Sequence, residues 1–207
     1  MTHRNALHVI GVLVGLGVAP GCTTYVAVIN EGYAIVAQEP SVGRVHPYPG
    51  LPGTPRPGPR VAVFLSTTAD LRRLAKSHTH HLYFELLPCS QTDHRYSLYT
   101  GDVFEATERE HASVLGAGAM PDQRLYKVHL PLDYARIVDE AGGYGTIDLT
   151  AYLESARRDG TCMRLGGATM WGVSALWSNR IAAPLAIRGE SLVPIGQALD
   201  LESRDGH

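Results

Sequence analysis

The side chains in this sequence most able to do chemistry are the histidines of "HTHH", His78 to His81. On a strand, His78 and His80 share a face and can present two imidazoles to a zinc or copper ion. His94 or Asp93 of the following "DHR" can come in from a neighbouring strand as a further ligand. The competing reading is structural, because the cluster follows a short helical pattern and histidines there satisfy terminal carbonyls and suit the helix dipole. Trp171 and Trp177 flank "GVSAL" between two predicted strands and, with Tyr144, can offer flat faces for stacking on sugar rings, unless they are core residues. Ser174 in the same stretch lacks the second glycine of GxSxG, and neither HExxH nor SxxK nominates another catalyst. Asp139 and Glu140 are adjacent carboxylates, whereas a glycosidase pair has to face across a bond. The glycine-rich pieces "GAGAM" and "GGYG" lack the strand-then-helix setting of a nucleotide fingerprint. No cofactor is called for, and nothing in the motifs specifies an enzyme.

The chain holds three cysteines, Cys22, Cys89 and Cys162. Cys22 ends an unusual leader. Met1 to His8 carries Arg4 and no acid, and Val9 to Ala19 is wholly apolar or glycine, which is a signal-peptide layout. These residues would reach only about 16 Å as a helix, against a hydrocarbon core of about 30 Å, so the run is too short to span a bilayer. Ala19, Pro20, Gly21 and Cys22 resemble the lipobox of bacterial membrane lipoproteins, with Ala19 standing where that family usually has leucine. The resemblance covers the first 22 or so residues and implies that Cys22 becomes a lipidated mature N-terminus. Thr23, rather than Asp, follows the cysteine, which in the Gram-negative family implies the periplasmic face of the outer membrane. Ordinary secretory cleavage after a small-x-small pattern is the alternative.

With Cys22 lipidated, Cys89 and Cys162 are left to pair in an oxidising compartment, closing a loop of about 74 residues worth roughly 4 kcal/mol in the chain-entropy treatment. Two buried free thiols are the alternative. Removing residues 1–21 takes away Arg4 and leaves 186 residues with all 20 acids, a net charge of −3 with histidine neutral. Arg72-Arg73 and Arg157-Arg158 are isolated pairs, so the basic stripe that nucleic acid needs is missing.

The elements that must position these residues are mostly strands. After the leader (1–21), residues 22–38 form a β-rich segment, "YVAVINEGYAIVA", with a hairpin-like turn expected at Asn30-Glu31-Gly32. Residues 39–60 hold seven prolines and four glycines and read as a linker or long loop. A domain over 61–190 and a tail over 191–207 complete the division. Within the domain, "VAVFLS" suits a buried strand, while "HLYFELLPC" and "RLYKVHLPL" alternate as half-buried strands. Further strands are expected at "RYSLYTGDVFE", "YGTIDLT", "TCMRLGG" and "NRIAAPLAI", the last along an edge because of Pro184.

Helices are expected at "ADLRRLAKS", begun by Thr67 and Asp70, and at "DLTAYLESARRDG"; Thr107 to Leu115 is open to helix or loop, since its apolar positions fit neither period well. Seven or eight strands with one or two short helices make a mainly β protein, a single β-sandwich. The stretch from Asp148 and Thr150 through Met163 to Leu165 and Pro184-Leu185 is similar to jelly-roll modules of the galactose-binding kind, a resemblance that transfers no functional residue. The expectation is a lipid-anchored, non-enzymatic binding or assembly module of the envelope, with an envelope protein or glycan as partner. Two alternatives stand beside it: a metal- or carboxylate-dependent hydrolase of envelope glycans, and a lipoprotein subunit of a secretion or transport apparatus.

Overall fold

The computed structural model describes residues 23–45, 56–78, 81–90, 99–116, 119–133, 149–168, 174–188, 191–196 and 198–201. In chain order these form β1 (Thr24–Val26), β2 (Ile29–Val36), β3 (Arg60–Thr67), α1 (Leu71–His78), β4 (His81–Pro88), β5 (Tyr99–Glu105), α2 (Glu108–Val114) and β6 (Arg124–Pro131). They continue with α3 (Leu149–Asp159), β7 (Thr161–Ala168), β8 (Ser174–Ser178), β9 (Ile181–Ala182), β10 (Leu185–Arg188) and β11 (Ser191–Pro194). The protein is mainly β, with a large curled sheet and three helices in a sandwich-like arrangement.

The sheet runs β1-β8-β7-β4-β5-β6-β3-β2, with β9 also paired to β7. β5 is where it turns over on itself. Its residues Tyr99 to Asp102 pair with β4, and Val103 to Glu105 pair with β6, so one strand serves both layers. The two ends of the order, β1 and β2, are consecutive in the chain and separated only by Ala27 and Val28. The backbone itself thus closes the seam. Asparagine amides finish the closure: Asn179 Oδ1 accepts Val28 N–H at 2.7 Å, and its Nδ2 donates to Val28 O at 2.9 Å. On the same seam Asn30 Nδ2 donates to Ala182 O at 2.9 Å.

Between the layers lies one core. Val61, Val63 and Leu65 of β3 meet Leu82, Phe84 and Leu86 of β4, Val128 and Leu130 of β6, and Met163 and Leu165 of β7. Each such side chain, fully buried, contributes about 1.5–3 kcal/mol through removal from water. Leu71 and Ala75 of α1 and Tyr152 and Ala156 of α3 belong to the same core. Tyr126 Oη accepts Leu71 N–H at 3.0 Å, and Tyr152 Oη donates to Leu86 O at 3.3 Å, so both phenols reach polar partners from an apolar setting.

A second, smaller cluster (Ala34, Ala62, Phe64, Leu125) lies on the other face of β2, β3 and β6, packed against Val114, Leu199 and Leu201. That cover explains why β6 is buried on both faces from Leu125 onward instead of alternating. Lys127, on its outward face, is held by Glu110 of α2 at 2.7 Å.

Three local expectations are corrected by the backbone. Asn30-Glu31-Gly32 is no hairpin turn: β1 pairs in parallel with β8, and β2 runs through these residues as a bulge, with Gly32 at φ 130° and its N–H bonded to Asn30 Oδ1. "NRIAAPLAI" is two strands, because Pro184 interrupts pairing; β9 joins β7 while β10 pairs with β11. Thr107 to Leu115, left open between helix and loop by its pattern, contains a helix, α2, entered through a reciprocal capping box of Thr107 and Glu110. Asp70, rather than Thr67, caps α1, its Oδ1 accepting Arg73 N–H at 2.9 Å.

Cys89 and Cys162 form a disulfide with S–S 2.08 Å. It ties the turn after β4 to the start of β7, where Cys89 N–H also donates to Gly160 O at 3.0 Å. Gly160, at φ 81°, takes the left-handed position that ends α3 and lets β7 begin at once. Among the described residues no helix is long and apolar enough to cross a membrane.

Candidate functional site: an aromatic row on the outer sheet face

Strand register places Tyr25, Trp177, Gly166, Tyr83 and Asp102 side by side across β1, β8, β7, β4 and β5. On every one of these strands a neighbouring residue (Val26, Leu176, Leu165, Phe84, Val103) is in the core. Alternation therefore turns the whole row outward. At one strand spacing per step, it extends about 19 Å. Tyr25 is 66% exposed, while Trp177 and Tyr83 are half-buried.

Gly166 is what allows the rings to come together. A Cβ there would lie 2.8 Å from Tyr83 Cε2 and 2.9 Å from Trp177 Cζ3, distances no real methyl tolerates. The phenol and the indole close over the glycine from either side and make one nearly continuous aromatic strip with Tyr25 at its end.

The next row on this face is ionic. Arg164 Nη2 meets Glu85 Oε2 at 2.5 Å, and both residues are buried. The Arg164 guanidinium lies 4.2 Å from the Trp177 ring centroid, so the indole roofs the ion pair and adds a cation–π contact to it. Arg180 approaches the pair while donating to Cys89 O at 3.1 Å. Burial and then the Arg164 charge pull its pKa down, with Glu85 opposing. At the far end of the aromatic row, Asp102 contacts Arg44 at 3.1 Å and His81 Nε2 at 3.7 Å. The His81 and Tyr83 rings stack with centroids 6.2 Å apart.

Around the corner made by β5, a second polar group sits under residues 39–45. Glu39 and Arg56 clasp each other, Glu39 N–H donating to Arg56 O at 3.2 Å and Arg56 N–H to Glu39 Oε2 at 3.3 Å. Burial raises the Glu39 carboxyl above the ordinary carboxylate range, against the lowering charges of Arg56 and Arg60. His129 packs edge-on against Phe104 at 5.4 Å, and its pKa is lowered to about 3 by burial first and then by the Lys127 and Arg60 charges. It is neutral at physiological pH. An open, polar cleft of about 550 Å³ adjoins α2, lined by Glu105, Glu108, His111 and Gln123 among others. In it Glu105 is engaged by Arg72 at 2.6 Å and His111 Nε2 by Gln123 O at 3.1 Å.

Of the residues singled out in the sequence, Cys22, His80, His94, Tyr144 and Trp171 lie outside the described residues. His78 closes α1. Trp177 belongs to β8 itself, on the outer face, and Cys89 and Cys162 are bonded to each other. Among the described residues no group of three or more His, Cys, Asp or Glu is arranged to hold a metal ion. Sequence reasoning missed Tyr25, Tyr83, Arg164, Glu85 and Asp102. Tyr83 and Glu85 were visible as the non-core half of "HLYFELL", but their partners on β7, β8 and β1 follow only from register. No family model matches this chain. No curated protein resembles it in sequence.

Proposed function

We propose that the chain is a lipid-anchored, non-enzymatic module of the bacterial envelope, held through Cys22 at the periplasmic face of the outer membrane, where it binds or assembles with an envelope protein or glycan. The observation that carries this reading is the bonding of Cys89 to Cys162. A structural disulfide suits an oxidising compartment, which supports export; and of three cysteines it leaves one, at the end of a signal-like leader and directly before Thr23. An odd thiol in an exported protein is a liability that a thioether removes. Two or three acyl chains then anchor stably, whereas one would bind only reversibly. What supports a binding role is the chemistry of the outer face: flat rings and a closed Glu85–Arg164 pair.

The test is to produce the full-length protein in a lipoprotein-processing bacterium and weigh the N-terminal peptide. A diacylglyceryl-modified Cys22, with the protein in the detergent phase and released by Cys22→Ser, is expected. An unmodified Cys22 thiol, or a soluble periplasmic product, overturns the reading.

A further inference from the structure

We infer that the Tyr25–Trp177–Tyr83 row is a membrane-interface belt: the folded sheet stands on the bilayer with this row in the headgroup layer. The inference rests on lipidation of Cys22. Its first support is chain length. Only Thr23 separates Cys22 from β1, and three residue steps fully extended carry Tyr25 at most about 11 Å from the anchored cysteine. Nor can β1 act as a loose tether. It is paired along its length with Leu176 to Ser178, and Val26 and Val28 are buried on either side of the seam that Asn179 clamps. A lipid on Cys22 therefore brings the body of the fold, not a flexible arm, against the membrane surface.

The second support is orientation. The row crosses the strands at the level of the second residue of β1 and the third of β4, so Tyr25 and Tyr83 lie near the end of the sheet from which β1 starts, while β8 runs three residues past Trp177 toward that end. His81 is one rung nearer that end, on β4, and the Glu85–Arg164 pair is one rung farther away. The order from the anchor outward is thus imidazole, aromatic strip, ion pair. An interface accepts that order, with amphipathic rings at headgroup depth, the Arg44–Asp102 pair beside them among the polar headgroups, and the buried Glu85–Arg164 pair one rung farther from the membrane. The Arg44–Asp102 pair closes the strip on one side, which limits the apolar contact to Tyr25, Trp177 and Tyr83.

The test uses the full, lipidated protein in vesicles of phosphatidylethanolamine and phosphatidylglycerol, with Trp171→Phe leaving Trp177 as the single indole. Phospholipids brominated near the headgroup end of the acyl chain should quench Trp177 roughly twofold more strongly than those brominated near the chain terminus, and Tyr25→Ser should weaken that quenching. Should Trp171→Phe fail to fold, fluorotryptophan labelling of the otherwise wild-type protein gives two fluorine signals. The one lost in Trp177→Phe is then read for broadening by a headgroup-attached spin label. With lipid confirmed on Cys22, a Trp177 signal insensitive to either lipid probe overturns the belt while leaving the anchor intact. Quenching of Trp177 by soluble peptidoglycan fragments in place of lipid overturns it in favour of a glycan face. Absence of lipid on Cys22 removes both readings.

Discussion

At the scale of single residues, the most consequential oddity is a neutral histidine packed among cations. His129 faces Phe104 edge-on, with the Lys127 and Arg60 charges close enough to oppose its protonation. Its folded-state pKa of about 3 lies below the ordinary value of 6.5. A group with a depressed pKa binds its proton more readily when unfolded, so the stability it confers is full above pH 6.5 and drains away as pH falls toward 3. The slope in that window is of the order of 1 kcal/mol for each pH unit. Glu39 works the other way: burial raises its pKa, so its contribution is present in acid and lost as pH rises through the raised value. The two therefore act in opposite directions as the pH falls. His129→Leu keeps the volume and removes the titration. Urea midpoints measured at pH 7 and pH 4 should be closer together in the variant than in the wild type, and an unchanged gap would show that His129 carries no acid sensitivity.

Among elements, the closure between β1 and β2 is the weakest place to defend, because two residues span it and backbone pairing cannot. Asn179 substitutes for a strand there, presenting an acceptor to Val28 N–H and a donor to Val28 O as a peptide group would. Val28 is buried, so losing these bonds orphans a donor and an acceptor that water cannot reach. Asn179→Ala should cost about 2 kcal/mol or more in urea unfolding. Asn179→Asp should be no better, since its oxygens can serve the N–H but repel the carbonyl. A variant as stable as wild type would mean that the seam holds without this clamp.

This seam also marks the limit of what the sequence discloses. Strands β3, β4, β6 and β7 were legible because their apolar residues recur at period two or run unbroken, and α3 because a helical pattern ends on Gly160. What stayed hidden depends on partners remote in sequence. Asn30-Glu31-Gly32 carries turn chemistry whether it turns or bulges, and only the pairing of β2 with β3 decides. The outward residues of β6 look solvent-facing until α2 and residues 198–201 are placed over them. The aromatic row is the extreme case. Its members come from five strands, and nothing local to Tyr25 foretells Trp177, whereas the disulfide was readable because three cysteines allow few arrangements.

For the whole molecule, the same arithmetic gives a measurement of state that needs no knowledge of the partner. Cys89 and Cys162 are bonded across a sequence separation of 73, at the junction of β4, α3 and β7, where Ser90 Oγ also donates to Asp159 Oδ2. The bond bridges strands that are already paired, Leu87 opposite Cys162 and Pro88 opposite Thr161. Its removal should leave the sheet's architecture while costing about 2–5 kcal/mol, because the unfolded chain regains the entropy of a long open loop. Reduction is thus both a stability test and a count of sulfur. On the proposed anchor, protein processed in a bacterial envelope and denatured without reductant should show no reactive thiol, the proposal making Cys22 a thioether while Cys89 and Cys162 form the disulfide. After reduction it should show two, because a thioether resists thiol exchange. An exported but unlipidated chain that keeps Cys22 gives one and then three. Titration with a maleimide mass tag before and after reduction separates these outcomes in one gel. A result of three thiols without any reductant would deny the disulfide and, with it, the export argument on which the anchor depends.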